Sequence, residues 1–322
     1  MYIVPEREIG RLVTAEAAYA AVEAVFGAMA AREARNFPVV REALGHEDAL
    51  YGFKGGFDGQ GGALGLKAGG YWPHNLERRG IINHQSTVFL FDPDTGRVRA
   101  MVGGNLLTAL RTAAASSVSI RHLARQDAKV LGMVGAGHQA HFQLRAAAAA
   151  RDFERVVAWN YHPEMLPKLA ETAASVGLPF EAVSLERLGA EADVIITITS
   201  TFAPSLMDAH VRPGTHLACM GTDTKGKQEV EAALLARATV FADEVAQSVS
   251  IGEAQHAVAA GLLAEGDIAE IGAVVNGTHP GRTSAEEITL FDGTGVGLQD
   301  LAVAAAAVDA AVAAGIAIEV DV

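Results

Sequence analysis

The sequence has little of three features that would assign it to large classes of protein. It contains one cysteine, Cys219, in 322 residues, which excludes an internal disulfide and fits a reducing compartment, so we expect a cytoplasmic protein. Acidic residues outnumber basic ones by 38 to 25, and the formal net charge of −13 argues against binding to nucleic acid or to an anionic membrane. No apolar run reaches the ~18 residues of a membrane-spanning helix. A small-molecule partner is therefore expected.

One glycine-containing segment has the order of a dinucleotide site. In residues 129–140 (KVLGMVGAGHQA), an apolar strand runs directly into the pattern G-x-G-x-x-A, and an alanine-rich helical pattern follows. Gly135 permits a tight turn, Gly137 lets the backbone approach a pyrophosphate, and Ala140 lets the helix pack close to the sheet. A second strand at Arg155–Trp159 completes the expected context. We predict a nicotinamide or similar dinucleotide at this loop, whose contacts are Gly135, Ala136, Gly137, His138 and Gln139.

The residues after the second strand bear on the choice between NADH and NADPH. This position normally carries an acid for NAD or a base for the 2′-phosphate of NADP. Here the sequence is Asn160-Tyr161-His162. Asn160 can hydrogen-bond a ribose hydroxyl, and no Arg or Lys adjoins it to pair with a phosphate. The pattern therefore favours NADH, with Asn160 and Tyr161 as cofactor contacts.

The chain before residue 129 has mixed helix and strand patterns. Residues 14–35 predict a helix, because apolar residues recur at helical spacing. A glycine-rich β region follows and ends in the short strand Ala63–Ala68. The apolar runs Ser86–Asp92 and Arg97–Gly103 are separated by a turn sequence and predict a hairpin. A long helix is expected over Leu106–Ala124.

After residue 129 strands and helices alternate, which is typical of a parallel, doubly wound sheet. A last helix, Gly297–Ala314, is free to pack on the N-terminal part of the chain. We predict an α/β fold in which a Rossmann-type doubly wound parallel sheet, residues 118–297, is inserted into an α+β dimerisation and catalytic domain formed by residues 1–117 and 298–322. The predicted parallel strands are Val130–Val134, Val156–Trp159, Phe180–Val183, Val194–Thr199, His216–Met220 and Thr239–Ala242.

Six segments along nearly the whole chain carry a resemblance to a known family. In order they are LGLK (64–67), LFDPDTG (90–96), LTALRTAA (107–114), VGAGHQA (134–140), MGTDTKGKQE (220–229) and EITLFDGTG (287–295). Through these segments the chain resembles the ornithine cyclodeaminase/μ-crystallin family. The resemblance implies a nicotinamide cofactor on a Rossmann domain, and usually a homodimer paired through the other domain. It also places cofactor contacts at Thr112, Thr199, Ser200, Met220, Gly295 and Val296.

The same resemblance implies three residues that act on an α-imino acid. Arg111 matches the residue that binds the α-carboxylate, with which a guanidinium can form two parallel hydrogen bonds. Lys67 matches the active-site lysine, which contacts a substrate oxygen and is a candidate proton donor. Asp223 matches the catalytic aspartate, placed to exchange a proton with the imine or amine nitrogen. The substrate class is therefore expected to be a small imino acid.

Two further cationic residues help to distinguish between the enzyme activities found in the family. Lys54 lies in a region where the resemblance places a carboxylate in the ornithine-cyclising members, and a cation there repels an ornithine ammonium. Together with Arg41, it suits a second carboxylate on the substrate. We therefore expect an NAD(P)H-dependent oxidoreductase acting on a C=N group, with iminosuccinate reduced to L-aspartate as the best single candidate.

Other interpretations remain open from the sequence. One is an ornithine-type cyclodeaminase, another an alanine dehydrogenase, and a third a non-catalytic NADPH-binding protein of the μ-crystallin kind. A metal site is not expected, since His138 and His141 lie three residues apart without an evident third ligand. Cys219 lies within an apolar strand and is expected to be buried and not nucleophilic.

Overall fold

The computed structural model describes residues 1–321, which form two compact units. Unit 1 consists of Met1–Arg111 together with the chain from Val296 onward, and unit 2 consists of Thr112–Gly295. The boundaries predicted from sequence, 117/118 and 297/298, lie slightly further along the chain.

Strands and helices are numbered in chain order. The strands are β1 (Tyr2–Val4), β2 (Ala34–Asn36), β3 (Val40–Ala43), β4 (Leu50–Asp58), β5 (Ala63–Tyr71), β6 (His84–Phe91), β7 (Val98–Gly103), β8 (Val130–Val134), β9 (Arg155–Trp159), β10 (Phe180–Ala182), β11 (Val194–Thr197), β12 (His216–Cys219), β13 (Thr239–Ala242), β14 (Ala269–Glu270), β15 (Thr289–Asp292) and β16 (Ile318–Glu319). The helices are α1 (Glu6–Leu12), α2 (Ala15–Ala30), α3 (Asn75–Arg79), α4 (Asn105–Leu123), α5 (His138–Ala150), α6 (Leu166–Ser175), α7 (Leu185–Glu191), α8 (Ala232–Arg237), α9 (Val245–Ile251), α10 (Ala254–Ala259), α11 (Ile271–Val275) and α12 (Gly297–Ala313).

Unit 1 is a mixed sheet with helices packed against it. Its strands run in the order β16-β1-β7-β6-β5-β4-β2, and β3 also pairs with β4. Helix α12 packs along α2 and onto β4 and β5. Two strand glycines permit this close approach, because a Cβ on Gly56 would lie 2.9 Å from Leu298 and a Cβ on Gly65 would lie 3.0 Å from Leu301. The first turn of α12 is thereby held directly over the sheet.

Unit 2 is built on a fully parallel sheet, as the alternation of strands and helices predicts. Its strand order is β10-β9-β8-β11-β12-β15-β13-β14, and every neighbouring pair is parallel. The order reverses between β8 and β11, which is the position where doubly wound folds bind ligands. The central strands β8, β11, β12 and β15 are almost fully buried, as expected for a sheet covered on both faces, whereas the edge strands β10 and β14 are not. The predicted α/β fold class is confirmed.

Two predicted elements in unit 1 have limits in the structure that differ by three residues or more at one end. The helix predicted over residues 14–35 ends at Ala30 because Arg32 adopts a left-handed conformation with φ of 63°. The chain then forms β2, which pairs with β4. The strand predicted over 63–68 continues to Tyr71, because two glycines that look like a turn in the sequence pair with Gln85 and Ser86 of β6.

No single helix within residues 1–321 has the length and hydropathy to cross a membrane. The pair α1 and α2 passes that test together, by length and composition only, with a bend of 90° between them. Within unit 1 the apolar residues Ile9, Val22 and Phe26 of this pair are buried.

Candidate functional site

A buried carboxylate joins the two best candidate substrate residues of unit 1. The Asp300 carboxylate lies 2.8 Å from the Lys67 ammonium and 3.1 Å from Nε of Arg111. Arg111 Nη1 also donates to Gln299 Oε1 at 3.0 Å, and Lys67 Nζ donates to Thr108 Oγ1 at 3.3 Å. Asp300 is fully buried, and both cations are less than a tenth exposed. The structure thus brings Lys67 and Arg111, 44 residues apart in sequence, onto one anion.

Three elements position this cluster. Strand β5 carries Lys67, helix α4 carries Thr108 and Arg111 one turn apart, and the first turn of α12 carries Gln299 and Asp300. The sequence analysis missed Gln299 and Asp300. Their only signal is a pair of polar residues in the first turn of a largely apolar, alanine-rich helix. Such residues are buried only when they have partners, and the partners here come from distant parts of the chain.

Burial and neighbouring charges set the protonation of the cluster. Burial lowers the pKa of Lys67 to about 7, with contributions in the same direction from Arg111 and Lys54, and the attraction of Asp300 opposes this only in part. Burial alone would raise the pKa of Asp300, but Arg111 and Lys67 outweigh it and the pKa is lowered. Asp300 is therefore ionised at neutral pH, and the Lys67 ammonium loses its proton far more readily than an ordinary lysine.

The two additional cations of the sequence analysis lie on the same face of the sheet as Lys67. Lys54 on β4 is directly opposite Lys67 on β5. Arg41 on β3 is opposite Gly52, which is two residues from Lys54 and therefore shares its face. Lys54 is half-buried and Arg41 is exposed. Unit 1 thus places Lys67, Arg111 and Lys54 near the buried carboxylate of Asp300, with Arg41 further along the same face of the sheet.

The glycine loop of unit 2 has the geometry that a dinucleotide needs. Gly135 has φ of 115°, and a Cβ there would lie 2.5 Å from the Ile198 carbonyl oxygen. Gly137 is the N-cap of α5, and no side-chain hydrogen bond caps this helix end. Apart from its two chain neighbours, no atom of residues 1–321 lies within 4 Å of a Cβ built on Gly137. Open space therefore adjoins the backbone amides at the start of a 13-residue helix. This arrangement fits a pyrophosphate.

Asn160 and Tyr161 differ in how they are held. Asn160 Oδ1 accepts from the backbone N–H of Ala136 at 3.1 Å, and its Nδ2 donates to the His162 carbonyl at 2.8 Å. The amide therefore braces the glycine loop and retains one acceptor position for a ligand. Tyr161 is 79% exposed.

The other predicted cofactor residues and Asp223 follow the carboxyl ends of strands in unit 2, apart from Thr112 and Val296. Thr199 and Ser200 follow β11, Met220 and Asp223 follow β12, and Gly295 follows β15. Asp223 is part-exposed, and its Oδ1 accepts from Lys227 Nζ at 2.8 Å. Thr112 is buried in α4, and Val296 is the buried N-cap of α12 in unit 1.

The remaining chemical candidates have structural partners. Cys219 is fully buried, as predicted, and burial raises the pKa of its thiol, which disfavours the thiolate. His141 Nδ1 lies 2.8 Å from Thr172 Oγ1, and the His138 ring contacts Phe142 edge-on. Within residues 1–321 there is no group of three or more His, Cys, Asp or Glu side chains placed to hold a metal ion.

The chain is similar to known proteins over nearly its whole length. The profile of the ornithine cyclodeaminase/mu-crystallin family matches residues 6–315. The iminosuccinate reductase of Paracoccus denitrificans (strain Pd 1222) is 68% identical over 322 residues, covering 100% of both chains. The crystal structure of that reductase in complex with NAD+ superimposes with a TM-score of 0.97 over 100% of this chain and 99% of the other.

A more distant solved structure has the same fold. An archaeal alanine dehydrogenase dimer with bound NAD is 30% identical and superimposes with a TM-score of 0.93, covering 100% of this chain and 99% of the other. The family profile and the full-length match at 68% identity together settle the classification. The chain belongs to the ornithine cyclodeaminase/mu-crystallin family.

Proposed function

We propose that this protein is an NADH-dependent reductase that converts iminosuccinate to L-aspartate. The observation that carries the proposal is the excess of positive charge at Asp300, where one carboxylate faces Lys67 and Arg111 and Lys54 lies beside them. A dianionic substrate supplies the negative charge that balances this cluster. The 68% identity over full length to the Paracoccus iminosuccinate reductase supports the same substrate.

The cations of unit 1 account for recognition of two carboxylates. Arg111 pairs with the α-carboxylate through its guanidinium fork. Lys54, with Arg41 on the same face, pairs with the distal carboxylate. A charge-assisted contact of this kind contributes about 1.5–3 kcal/mol, which corresponds to roughly a ten- to hundredfold preference over a monocarboxylate.

Reduction of the imine needs a hydride at carbon and a proton at nitrogen. NADH, when bound, supplies the hydride. Lys67 has a pKa of about 7, so its ammonium holds a proton that it can release at neutral pH. Asp223 is the second candidate for exchanging the nitrogen proton, as the family resemblance implies. Asp300 keeps Lys67 and Arg111 in place without itself taking up a proton, because its pKa is lowered.

The choice of NADH is supported by the region around Asn160 and by two relatives. The side chain of Asn160 is held against the glycine loop, and the segment Asn160–His162 carries no lysine or arginine for a 2′-phosphate. The Paracoccus reductase is in complex with NAD+ and the archaeal alanine dehydrogenase has bound NAD.

We further propose a cytoplasmic homodimer paired through unit 1. One face of β3 and β4 carries Val40 and Phe53, which are directly opposite each other and 45% and 42% exposed. These two side chains form a small apolar patch on the sheet that a second subunit can cover. The archaeal alanine dehydrogenase is a dimer. The single buried cysteine supports a reducing compartment.

The proposed activity is tested by following NADH absorbance with oxaloacetate and ammonium, which form iminosuccinate in solution, and by detecting L-aspartate. Oxaloacetate without ammonium controls for reduction of the keto acid. The expected result is NADH oxidation that requires ammonium, yields L-aspartate and is slower with NADPH. Release of ammonia from ornithine without net NADH consumption would instead identify a cyclodeaminase. Tight NADPH binding with no turnover would identify a binding protein.

A further inference from the structure

One buried carboxylate of unit 2 holds together two loops of the predicted cofactor site. Glu229 is 1% exposed, and its two oxygens accept four hydrogen bonds. Oε1 accepts from the backbone N–H and the hydroxyl of Thr199 at 2.6 and 2.7 Å. Oε2 accepts from the Thr197 hydroxyl at 2.7 Å and from the backbone N–H of Gly221 at 2.8 Å. All four donors are amides or hydroxyls, so the carboxylate is held by uncharged groups.

The bound groups belong to loops that follow neighbouring parallel strands. Thr199 follows β11 and Gly221 follows β12, at the edge where doubly wound sheets bind their ligands. The contact between the loops is close, because a Cβ on Gly221 would lie 2.3 Å from the Thr199 carbonyl oxygen and 2.5 Å from Glu229 Oε1. A Cβ on Gly135 would lie 3.2 Å from Thr199 Cγ2. Glu229 therefore holds the two loops against the glycine loop at Gly135.

A second buried acid holds the backbone of Glu229 itself. Glu253 is 1% exposed and accepts from the backbone N–H groups of Glu229 and Val230 at 2.9 and 2.8 Å. It also accepts from the Thr222 hydroxyl at 2.5 Å. Burial raises the pKa of Glu253 to about 8, and the neighbouring Glu229 adds to the rise. Burial also raises the pKa of Glu229, and the hydrogen bonds from Thr197, Thr199 and Gly221 oppose that rise.

We propose that Glu229 is a positioning residue for NADH. The Glu229 carboxylate sets the spacing between the loops that contain Thr199 and Gly221, and thereby the position of Asp223, which lies two residues after Gly221. The inference rests on the proposed function for the identity of the cofactor. Glutamine at this position keeps the shape but turns an NH2 group towards one threonine hydroxyl, which can accept from it, and one backbone N–H, of Thr199 or Gly221, which cannot. Since donors do not pair with donors, the two loops separate.

The experiment measures the Kd of NADH, by fluorescence titration of the folded protein, together with kcat and thermal unfolding for Glu229→Gln. Asp193→Asn is the matched control. Asp193 is 8% exposed and also accepts four hydrogen bonds, from Arg125, Arg212 and the N–H groups of Lys129 and Val130, but it lies at the amino ends of β8 and β11.

Glu229→Gln is expected to raise the Kd of NADH at least tenfold and to lower kcat at saturating NADH. Asp193→Asn is expected to lower the Tm while leaving the Kd within about twofold of the parent. Equal Kd values for the parent and Glu229→Gln would overturn the inference, even if the variant unfolds more easily. A raised Kd in a protein whose parent binds NADH but does not reduce iminosuccinate would support the positioning role and refute the proposed function.

A second pair of variants covers the case in which Glu229→Gln does not fold. Thr197→Val removes one donor to Glu229 Oε2 with little change in shape, and Thr197→Ser retains that hydroxyl. Thr197→Val is expected to weaken NADH binding by about three- to tenfold, and Thr197→Ser to leave it unchanged. Identical NADH affinities for the two variants would contradict the positioning role.

Discussion

Lys67 combines a buried ammonium with a pKa near neutrality, and this governs how the proposed reaction depends on pH. Its pKa is lowered to about 7, so its ammonium is present below that pH and is lost above it. If Lys67 holds substrate or donates a proton as the ammonium, the rate of reduction falls as pH rises through about 7. An arginine at the same position stays charged throughout this range.

The predicted difference is measured as the ratio of wild-type to Lys67→Arg rates between about pH 6 and pH 8. Taking the ratio at each pH cancels the pH dependence of imine formation from oxaloacetate and ammonium. We expect Lys67→Arg to be slower overall and the ratio to fall as pH rises. A ratio that stays constant across this range would show that Lys67 does not titrate in the reaction.

Sequence reasoning found the cations of the site more easily than their anion. Lys67 and Arg111 stand in short segments that resemble a family, so their roles could be predicted residue by residue. Asp300 lies 233 positions from Lys67, and its pairing depends on the packing of α12 over β5. Local sequence indicates that a polar residue in this apolar helix needs a partner, but it does not identify Lys67 or Arg111 as that partner. The same holds for Glu229, which stands in a segment that resembles the family but to which the resemblance gave no role.

Helix α12 carries two aspartates in contrasting environments. Asp300, in its first turn, is fully buried between two cations, whereas Asp309, nearer its end, is 70% exposed and pairs with Arg99 at the surface. Asp300→Asn leaves Lys67 and Arg111 buried without their counter-charge, and we expect a loss of about 3 kcal/mol in unfolding free energy. Asp309→Asn is expected to change it by less than about 0.5 kcal/mol. Denaturant unfolding compares the two, and similar losses would refute this account of the cluster.

The two glycines of the dinucleotide loop are expected to respond differently to alanine. Gly135→Ala meets the Ile198 carbonyl oxygen at 2.5 Å and requires φ of 115°, so it should lower both Tm and NADH affinity. In Gly137→Ala the added methyl group points into open space, and the φ of −75° at this position is one that alanine adopts freely. It should leave the Tm unchanged and weaken NADH binding at least tenfold, because its methyl group occupies the space next to the helix amides. Unchanged NADH affinity in Gly137→Ala would place the pyrophosphate elsewhere.

At the level of elements, regular patterns were predictable and the irregular sheet of unit 1 was less so. Most parallel strands of unit 2 are buried and largely apolar, and β8 and β13 have their predicted limits. Strand β3 is exposed along its length and β2 is only three residues long. Neither has the alternation that identifies a strand, because both depend on pairing with β4.

The proposed pairing of two chains is testable through the exposed apolar face of unit 1. Phe53 is 42% exposed on this face, and Leu262 of unit 2 is similarly exposed, at 48%. Phe53→Glu is expected to lower the molar mass in solution from twice 33.5 kDa to 33.5 kDa at micromolar concentration. Leu262→Glu should leave the dimer intact. Light scattering after size exclusion measures both, and a dimeric Phe53→Glu protein would argue for a different interface.

The central claim is that the protein selects an imino acid with two carboxylates, and one ratio tests it most directly. The measurement is kcat/KM for iminosuccinate divided by kcat/KM for the imine of pyruvate, in the parent protein and in Lys54→Ala and Arg41→Ala. We predict a ratio of at least ten in the parent, and in at least one variant a ten- to hundredfold loss on iminosuccinate with little loss on the pyruvate imine. Preferred turnover of the pyruvate imine, or equal losses on both substrates, would contradict the account.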